Sequence, residues 1–219
     1  MRRKSVDSAV SLSLYGTVAL SHNHGKLVEM ASLLPVAKLE YRYDPAGRLR
    51  LLTLLENKLL WHSTWMIYYA NHIRPNRDGL KIGGHQASCA LVVTLTTALY
   101  LDVLRPEDRV AVKPHASPVF HAVQYLLGHL AADKLTELRA LGGLYAYPCH
   151  TRDADDIDFS TGSVGLSAAQ SIFASLVQDY VRLKDLSPAA VQPGRMVALV
   201  GDAELDEGKV YEALLEGWK

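Results

Sequence analysis

The residues best suited to chemistry lie in four short stretches, each beside an apolar segment. Near the carboxyl end, Met196-Val197-Ala198-Leu199-Val200 runs into Gly201-Asp202-Ala203-Glu204-Leu205-Asp206-Glu207. Five apolar residues between Pro193-Gly194 and Gly201 predict a fully buried strand. A strand ending in Gly-Asp-Xaa-Glu puts a carboxylate where ligands of parallel α/β sheets sit, outside the carboxyl ends of the strands. Carboxylates on flexible backbone suit a hard cation such as Mg²⁺, usually one that also holds phosphate. The same residues also fit a surface turn of solvated acids.

The other three stretches carry histidine or glycine. Gly83-Gly84-His85-Gln86-Ala87-Ser88 places His85 on a loop at the entry to an apolar helix. There it could meet an anion at the helix amino terminus, or serve only as helix entry. Lys113-Pro114-His115-Ala116-Ser117-Pro118 places His115 just past a short strand, Arg109 to Lys113. Ser117 reads as the cap and Pro118 as the first residue of the next helix. Ser160-Thr161-Gly162-Ser163-Val164-Gly165-Leu166-Ser167 is a Gly-Ser-rich helix entry, a geometry that cradles anions when it faces a cleft. His121 and His129 read as ordinary core or surface histidines.

The elements that must position these loops follow from hydrophobic spacing. A helix is expected from Leu49 to Ala70, with Leu51, Leu54, Leu55, Lys58, Leu59 and His62 on one side and Trp61, Trp65, Ile67 and Tyr68 thickening it. Further helices are expected from Gln86 to Leu101, Val119 to Leu127, Asp133 to Leu141, Ala168 to Leu183 and Lys209 to Trp218. The alternation of strands and helices predicts an α/β fold, a doubly wound, mostly parallel sheet flanked by helices.

Composition narrows the classes. Hydrophobic residues make up 49% and charged residues 21% of 219, which argues against disorder. Lysine plus arginine equals aspartate plus glutamate at 23 each, so nothing points to a nucleic-acid partner or an acidic membrane surface. No uninterrupted apolar window of about 18 residues predicts a membrane span. Cys89 and Cys149 are too few for a disulfide framework and fit a reducing, cytoplasmic setting. Met1-Arg2-Arg3-Lys4 before the apolar run Ala9 to Leu20 faintly suggests a secretory signal, but Asp7 and four serines interrupt it. Residues 1–40 are expected to be a partly disordered amino-terminal extension, and 41–219 the folded domain.

Taken in order and spacing, the four stretches resemble thiamine-diphosphate enzymes. The resemblance covers Leu51 to Lys219. It is nearest to the homodimeric decarboxylating component of pyruvate dehydrogenase, with transketolase as the wider relative. Tyr145-Ala146-Tyr147-Pro148 falls where that family carries a Tyr-Pro turn. The resemblance implies the amino-terminal, diphosphate- and Mg²⁺-binding part of a thiamine-diphosphate-binding fold that is incomplete at its carboxyl end. It makes Asp202 the metal ligand. Gly201, Ala203 and Glu204 would stand beside the cofactor, Gly201 allowing a tight turn. Gly162, Val164, Gly165 and Leu166 would contact the cofactor, and His85 and His115 would line the cofactor and substrate channel in catalytic roles.

Three departures matter. Ala203 replaces the second glycine of Gly-Asp-Gly, which requires a backbone angle that is not left-handed. Cys149 stands where the family has histidine, with His150 beside it as a substitute. The family's metal-binding asparagine and the glutamate that activates the cofactor lie beyond Lys219, so the chain is expected to be the first part of a longer polypeptide that binds cofactor poorly alone. The implied activity is oxidative decarboxylation of pyruvate or another 2-oxo acid. The alternatives are transfer of a two-carbon ketol unit between sugar phosphates, or a non-catalytic homologue. Implied partners are a second copy of the chain and an acyltransferase component of a multienzyme complex.

Overall fold

The computed structural model describes residues 45–76, 78–153, 156–188 and 192–219, and, before them, four strand segments. These are β1 (Ser11–Ser13), β2 (Thr17–Ser21), β3 (Leu27–Val28) and β4 (Leu39–Glu40). They form an antiparallel sheet in the order β3-β2-β1-β4, with Leu12 opposite Val18 and Leu39. The remainder of residues 1–40, including most of the signal-like run, lies outside the described residues. The chain divides into two compact units, Met1–Leu55 and Glu56–Lys219. All the candidate site residues belong to the second.

The long helix α1 (Pro45–Tyr68) opens on a proline, which lacks only an N–H that would be unpaired there. Its buried positions are Leu55, Leu59, Ser63, Met66 and Ile67, a three- and four-residue stripe that Ala70 continues in the turn that follows. The stripe is rotated from the one expected. Leu54 and Trp61 face solvent, because apolar residues lie on every side of this helix and spacing alone leaves its phase open. The helix ends in one π-helical turn, Tyr69–Ile73.

Helix α2 (Gln86–Ala98) also ends in a π-helical turn, Leu99–Val103. It is tied to α1 by Gln86 Nε2 donating to the Thr64 carbonyl at 3.3 Å and Thr94 Oγ1 donating to Glu56 Oε1 at 2.5 Å. Counted through its π-helical turn, Gln86–Val103 is a helix long and apolar enough to cross a membrane by length and composition, where the sequence had predicted no span. In the structure it buries Cys89, Val93, Thr96, Thr97 and Leu99 within the second unit. Burial pushes the Cys89 thiol up to about 12, so it is an inert core group.

Strand β5 (Arg109–Ala111) pairs in parallel with β6 (Met196–Ala198), Val110 opposite Val197. The pairing runs past the strands through Leu199 N–H to the Ala111 carbonyl at 2.9 Å. Helix α3 (Ser117–Leu126) follows β5, and α4 (Leu166–Leu183) contacts both strands. Helix α5 (Gly208–Trp218) follows β6 and packs on α4. A core of Leu99, Val110, Val112, Phe120, Ile157 and Leu199 fills the space beside the strands. The α/β class holds. The wide doubly wound sheet does not appear: among the described residues the parallel sheet has two strands. For the same reason β6 is half-buried, not fully buried; Val197 packs against the core and Leu199, past the strand's end, is buried in it. The short helix expected from Asp133 to Leu141 is a 3₁₀ helix confined to Ala132–Glu137.

The base of the sheet is fixed by a buried charge. The Asp108 side chain is fully buried and accepts from the backbone N–H groups of Arg105 and Arg195 and from the Arg195 guanidinium at 2.5 Å. The Arg195 hydrogen bonds hold its carboxyl well below the usual carboxylate range.

Candidate functional site

The first loop is built by its glycines and one asparagine. Gly83 and Gly84 have φ of +82° and +130°, a region that L side chains avoid. A Cβ on Gly84 would stand 2.8 Å from Ile67 Cγ2, so glycine is what allows this backbone to lie on α1. Asn71, in the π-helical turn that ends α1, accepts from Gly83 N–H and donates to the Gly83 carbonyl, both at 2.9 Å. Arg139 Nη1 donates to the Ile82 carbonyl at 2.9 Å. His85 is thereby delivered to the N-cap of α2 without capping it through its side chain. The ring is left exposed.

His115 lies in the 3₁₀ turn Pro114–Ala116 immediately after β5. Its ring is half-buried, with its centroid 4.3 Å from that of His85 and the planes 42° apart. Tyr147 completes the row, its ring 6.0 Å from His115 and its hydroxyl 3.2 Å from Ser163 Oγ. Burial, then the charge of His115, then that of Arg139 lower the His85 pKa below its ordinary value. Ser117 is the first residue of α3 and not its cap. Its hydroxyl donates to the Ala146 carbonyl at 3.0 Å and so holds the Tyr-Pro turn against α3.

The third loop docks on the exits of both strands. Buried Thr161 donates to the Val112 carbonyl at 3.1 Å. Gly162 is half-buried and Val164 exposed. Gly165 has φ of +75°, and a Cβ there would stand 2.6 Å from Val210 Cγ2 and 3.0 Å from the Glu204 carbonyl. Leu166 then starts α4 with its side chain partly exposed.

In the fourth loop Gly201 N–H donates to Glu204 Oε2 at 2.8 Å and Glu204 N–H donates to the Gly201 carbonyl at 3.0 Å. This reciprocal pair closes the 3₁₀ turn Asp202–Asp206. Gly201 is not needed for a tight turn, since its φ is −78°, open to any residue. An added methyl would stand 3.2 Å from both Lys113 Nζ and Glu204 Oε2, a tight contact with two side-chain ends. Ala203 sits within the 3₁₀ turn without a positive φ, so its methyl is accommodated. Glu204 is buried and its Oε1 has no partner among the described residues. Asp202 is exposed at the head of the turn.

Joined loop to loop, His85 meets His115, Thr161 meets the β5 exit, Gly165 meets Glu204, and Lys113 meets Gly201. All four loops border the carboxyl edge of the β5–β6 pair. His150, beside Cys149, has its Nδ1 at 2.5 Å from the Ile157 carbonyl. The Cys149 thiol pKa is lowered, chiefly by its hydrogen bond with Thr151. No group of three histidine, cysteine or acidic side chains fit to hold a metal exists among the described residues. An exposed aspartate can still share a Mg²⁺ with phosphate and water, which is how that ion usually binds. Asn71, Arg139, Lys113 and Thr161 had no role in the sequence reading. Lys113 and Thr161 stand within two of the four stretches, but nothing in the spacing of Asn71 or Arg139 marks them.

The sequence that builds these loops matches a family model over residues 77–217. The chain belongs to the family described as 1-deoxy-D-xylulose-5-phosphate synthase, whose amino-terminal domain model matches residues 77–217, and so to the thiamine-diphosphate-dependent, transketolase-type amino-terminal domains. It is 30% identical over 159 residues to a pyruvate dehydrogenase E1 component of Mycolicibacterium smegmatis, covering 67% of this chain and 16% of that protein. It is 30% identical over 142 residues to human transketolase, covering 60% of this chain and 21% of that one. It is 28% identical over 148 residues to a 6-deoxy-6-sulfo-D-fructose transketolase subunit of a Clostridium species, covering 62% and 50%. The chain thus matches about a sixth to a half of the length of these relatives.

Proposed function

We propose that this chain forms the diphosphate side of a thiamine-diphosphate and Mg²⁺ site in an enzyme that decarboxylates pyruvate or another 2-oxo acid. The observation carrying this reading is the 4.3 Å approach of His85 to His115 at the strand edge that also bears the Gly201–Glu204 turn. The cofactor, when bound, supplies a carbanion that adds to a carbonyl and a ring that accepts the electron pair. The chain's residues have separate tasks. Asp202 holds the metal through its carboxylate. Gly162, Val164, Gly165 and Leu166 bring backbone against the cofactor, and Gly201, Ala203 and Glu204 hold the turn that carries Asp202. His85 and His115 donate hydrogen bonds to the substrate oxygen as negative charge develops there.

Transfer of a two-carbon unit between sugar phosphates is the second reading, favoured by the family model and by the transketolase relatives. A homodimer is part of either reading. Trp61, Leu91, Leu95, Phe173 and Trp218 are exposed apolar side chains of the kind a partner covers. An acyltransferase component would accompany only the first reading.

Equilibrium dialysis of the chain with thiamine diphosphate tests the site. Weak, saturable, Mg²⁺-dependent uptake that Asp202→Asn abolishes is expected. Uptake indifferent to Mg²⁺ and to that substitution would overturn the assignment. Cofactor-dependent turnover with pyruvate and an artificial electron acceptor, against turnover with ketose and aldose phosphates, separates the two reactions.

A further inference from the structure

Among the described residues two that are not glycine take a positive φ, Arg139 at 55° and Asp185 at 52°. Asp185 follows the end of α4, where a left-handed residue commonly closes a helix, and aspartate tolerates that angle. Arginine tolerates it poorly, and such strain persists only where the surroundings over-determine it. Here they do. Arg139 N–H donates to the Leu144 carbonyl at 2.7 Å, and Leu144 N–H donates to the Glu137 carbonyl at 3.1 Å. Arg74, just past the π-helical turn of α1, donates from Nη1 to the carbonyls of Thr136 and Leu138 at 3.2 and 2.8 Å. Glycine would adopt this φ freely, so an arginine kept there has a task for its side chain.

The task is seen at the guanidinium. The peptide between Ile82 and Gly83 is clamped on both edges: Asn71 Oδ1 accepts from its N–H, and Arg139 Nη1 donates to its carbonyl, both at 2.9 Å. Gly83 leaves room for this approach, since a Cβ there would stand 2.8 Å from the same Nη1. Two glycines in a row give the loop no stiffness of their own, so outside hydrogen bonds must choose its conformation. Asn71 alone would leave the carbonyl edge free. Beyond Leu144 the chain runs on to Tyr147, whose ring lies 6.0 Å from that of His115. Arg139 therefore stands where the support of His85 meets the support of His115. Its charge reaches the His85 ring too, lowering that pKa after burial and His115.

We propose that Arg139 is a positioning residue, acting through the Ile82 carbonyl to hold the His85 ring at its 4.3 Å spacing from His115. It touches the loop and not the reacting atoms. A hydrogen bond from a guanidinium is charge-assisted and directional, which suits it to fix one peptide plane. The consequence for catalysis rests on the thiamine-diphosphate reading, in which His85 donates to the substrate oxygen. The positioning itself does not.

Nuclear Overhauser cross-peaks between ring protons, measured on the full chain with labelled histidine and tyrosine, test the proposal. The parent should show a His85–His115 cross-peak. It should also show one between His62 and Tyr125, whose rings lie 5.3 Å apart away from these loops and report on the fold. Arg139→Met, which keeps the length and loses the donor, should lose the first cross-peak and keep the second. Arg139→Lys, which keeps a charged donor, should show both. A parent without the His85–His115 cross-peak, an Arg139→Met that retains it, or an Arg139→Lys that loses it overturns the proposal. If Arg139→Met loses both cross-peaks, Arg139→Gly decides, because glycine takes a φ of +55° without strain. Loss of the His85–His115 cross-peak alone in that variant supports the positioning role, and any other pattern overturns it. Neither cross-peak needs the cofactor. Thiamine diphosphate uptake indifferent to Mg²⁺ and to Asp202→Asn would remove the thiamine reading and leave the role of Arg139 standing.

Discussion

The rings of His85 and His115 lie 4.3 Å apart although thirty residues of sequence separate them, and Asn71 and Arg139 hold the loop that brings the first to the second. Two imidazoles so close cannot both carry charge cheaply, and Arg139 adds a further cation. His85 is therefore neutral at neutral pH, able to accept or donate one hydrogen bond. Replacing His115 with Asn removes one source of positive charge, so the His85 pKa should rise toward 6.5. Histidine NMR titration of the parent and variant measures this. An unchanged His85 midpoint would mean the two rings are not electrostatically linked.

Gly165 joins the third loop to the fourth. Gly165→Ala combines a φ of +75° with a methyl 2.6 Å from Val210 Cγ2. A loss of about 1–3 kcal/mol is expected from strain and overpacking. Val210→Ala in the same chain should recover only the packing part, because the backbone angle is untouched. Urea unfolding midpoints check both numbers.

His62 gives the fold an acid limit. Burial, helped by the charge of Lys58, lowers its pKa to about 4 from 6.5, and its ring packs edge-on against Tyr125 with centroids 5.3 Å apart. The unfolded chain binds this proton at higher pH than the folded one, so stability rises with pH between the two values. It is fully present above 6.5 and is lost as pH falls toward about 4. After allowance for partial exposure, about 2 kcal/mol should disappear over that window. Guanidinium midpoints at pH 7 and pH 4.5 for the parent and for His62→Phe measure it, the variant showing the flatter response.

Much of the local structure around the four loops is legible in the sequence. The four loops were located by glycine, proline and histidine next to apolar runs, and each borders the strand or helix expected. Ala203 was expected to be tolerable only without a left-handed backbone, and its 3₁₀ turn meets that condition. The errors have physical causes. The buried stripe of α1 was rotated because Leu54 and Trp61 are as apolar as the residues that are buried, and periodicity cannot choose among them. Ser117 reads as a cap because it precedes a proline at a helix start, but its hydroxyl donates to the Ala146 carbonyl and the N-cap is Ala116. Gly201 is expected to allow a tight turn, but its φ of −78° is open to any residue, and Lys113, eighty-eight positions away, packs close beside it.

Local chemistry in the sequence determined which residues can act: glycines that permit close backbone, histidines that can share a proton, and an aspartate at the end of an apolar strand. These depend on neighbours along the chain and survive without knowledge of the fold. Only the tertiary structure decided which of them meet. Asn71 reaching Gly83, Thr161 reaching Val112 and Gly165 lying under Glu204 are contacts between distant segments, set by packing and hydrogen-bond satisfaction that no spacing rule encodes.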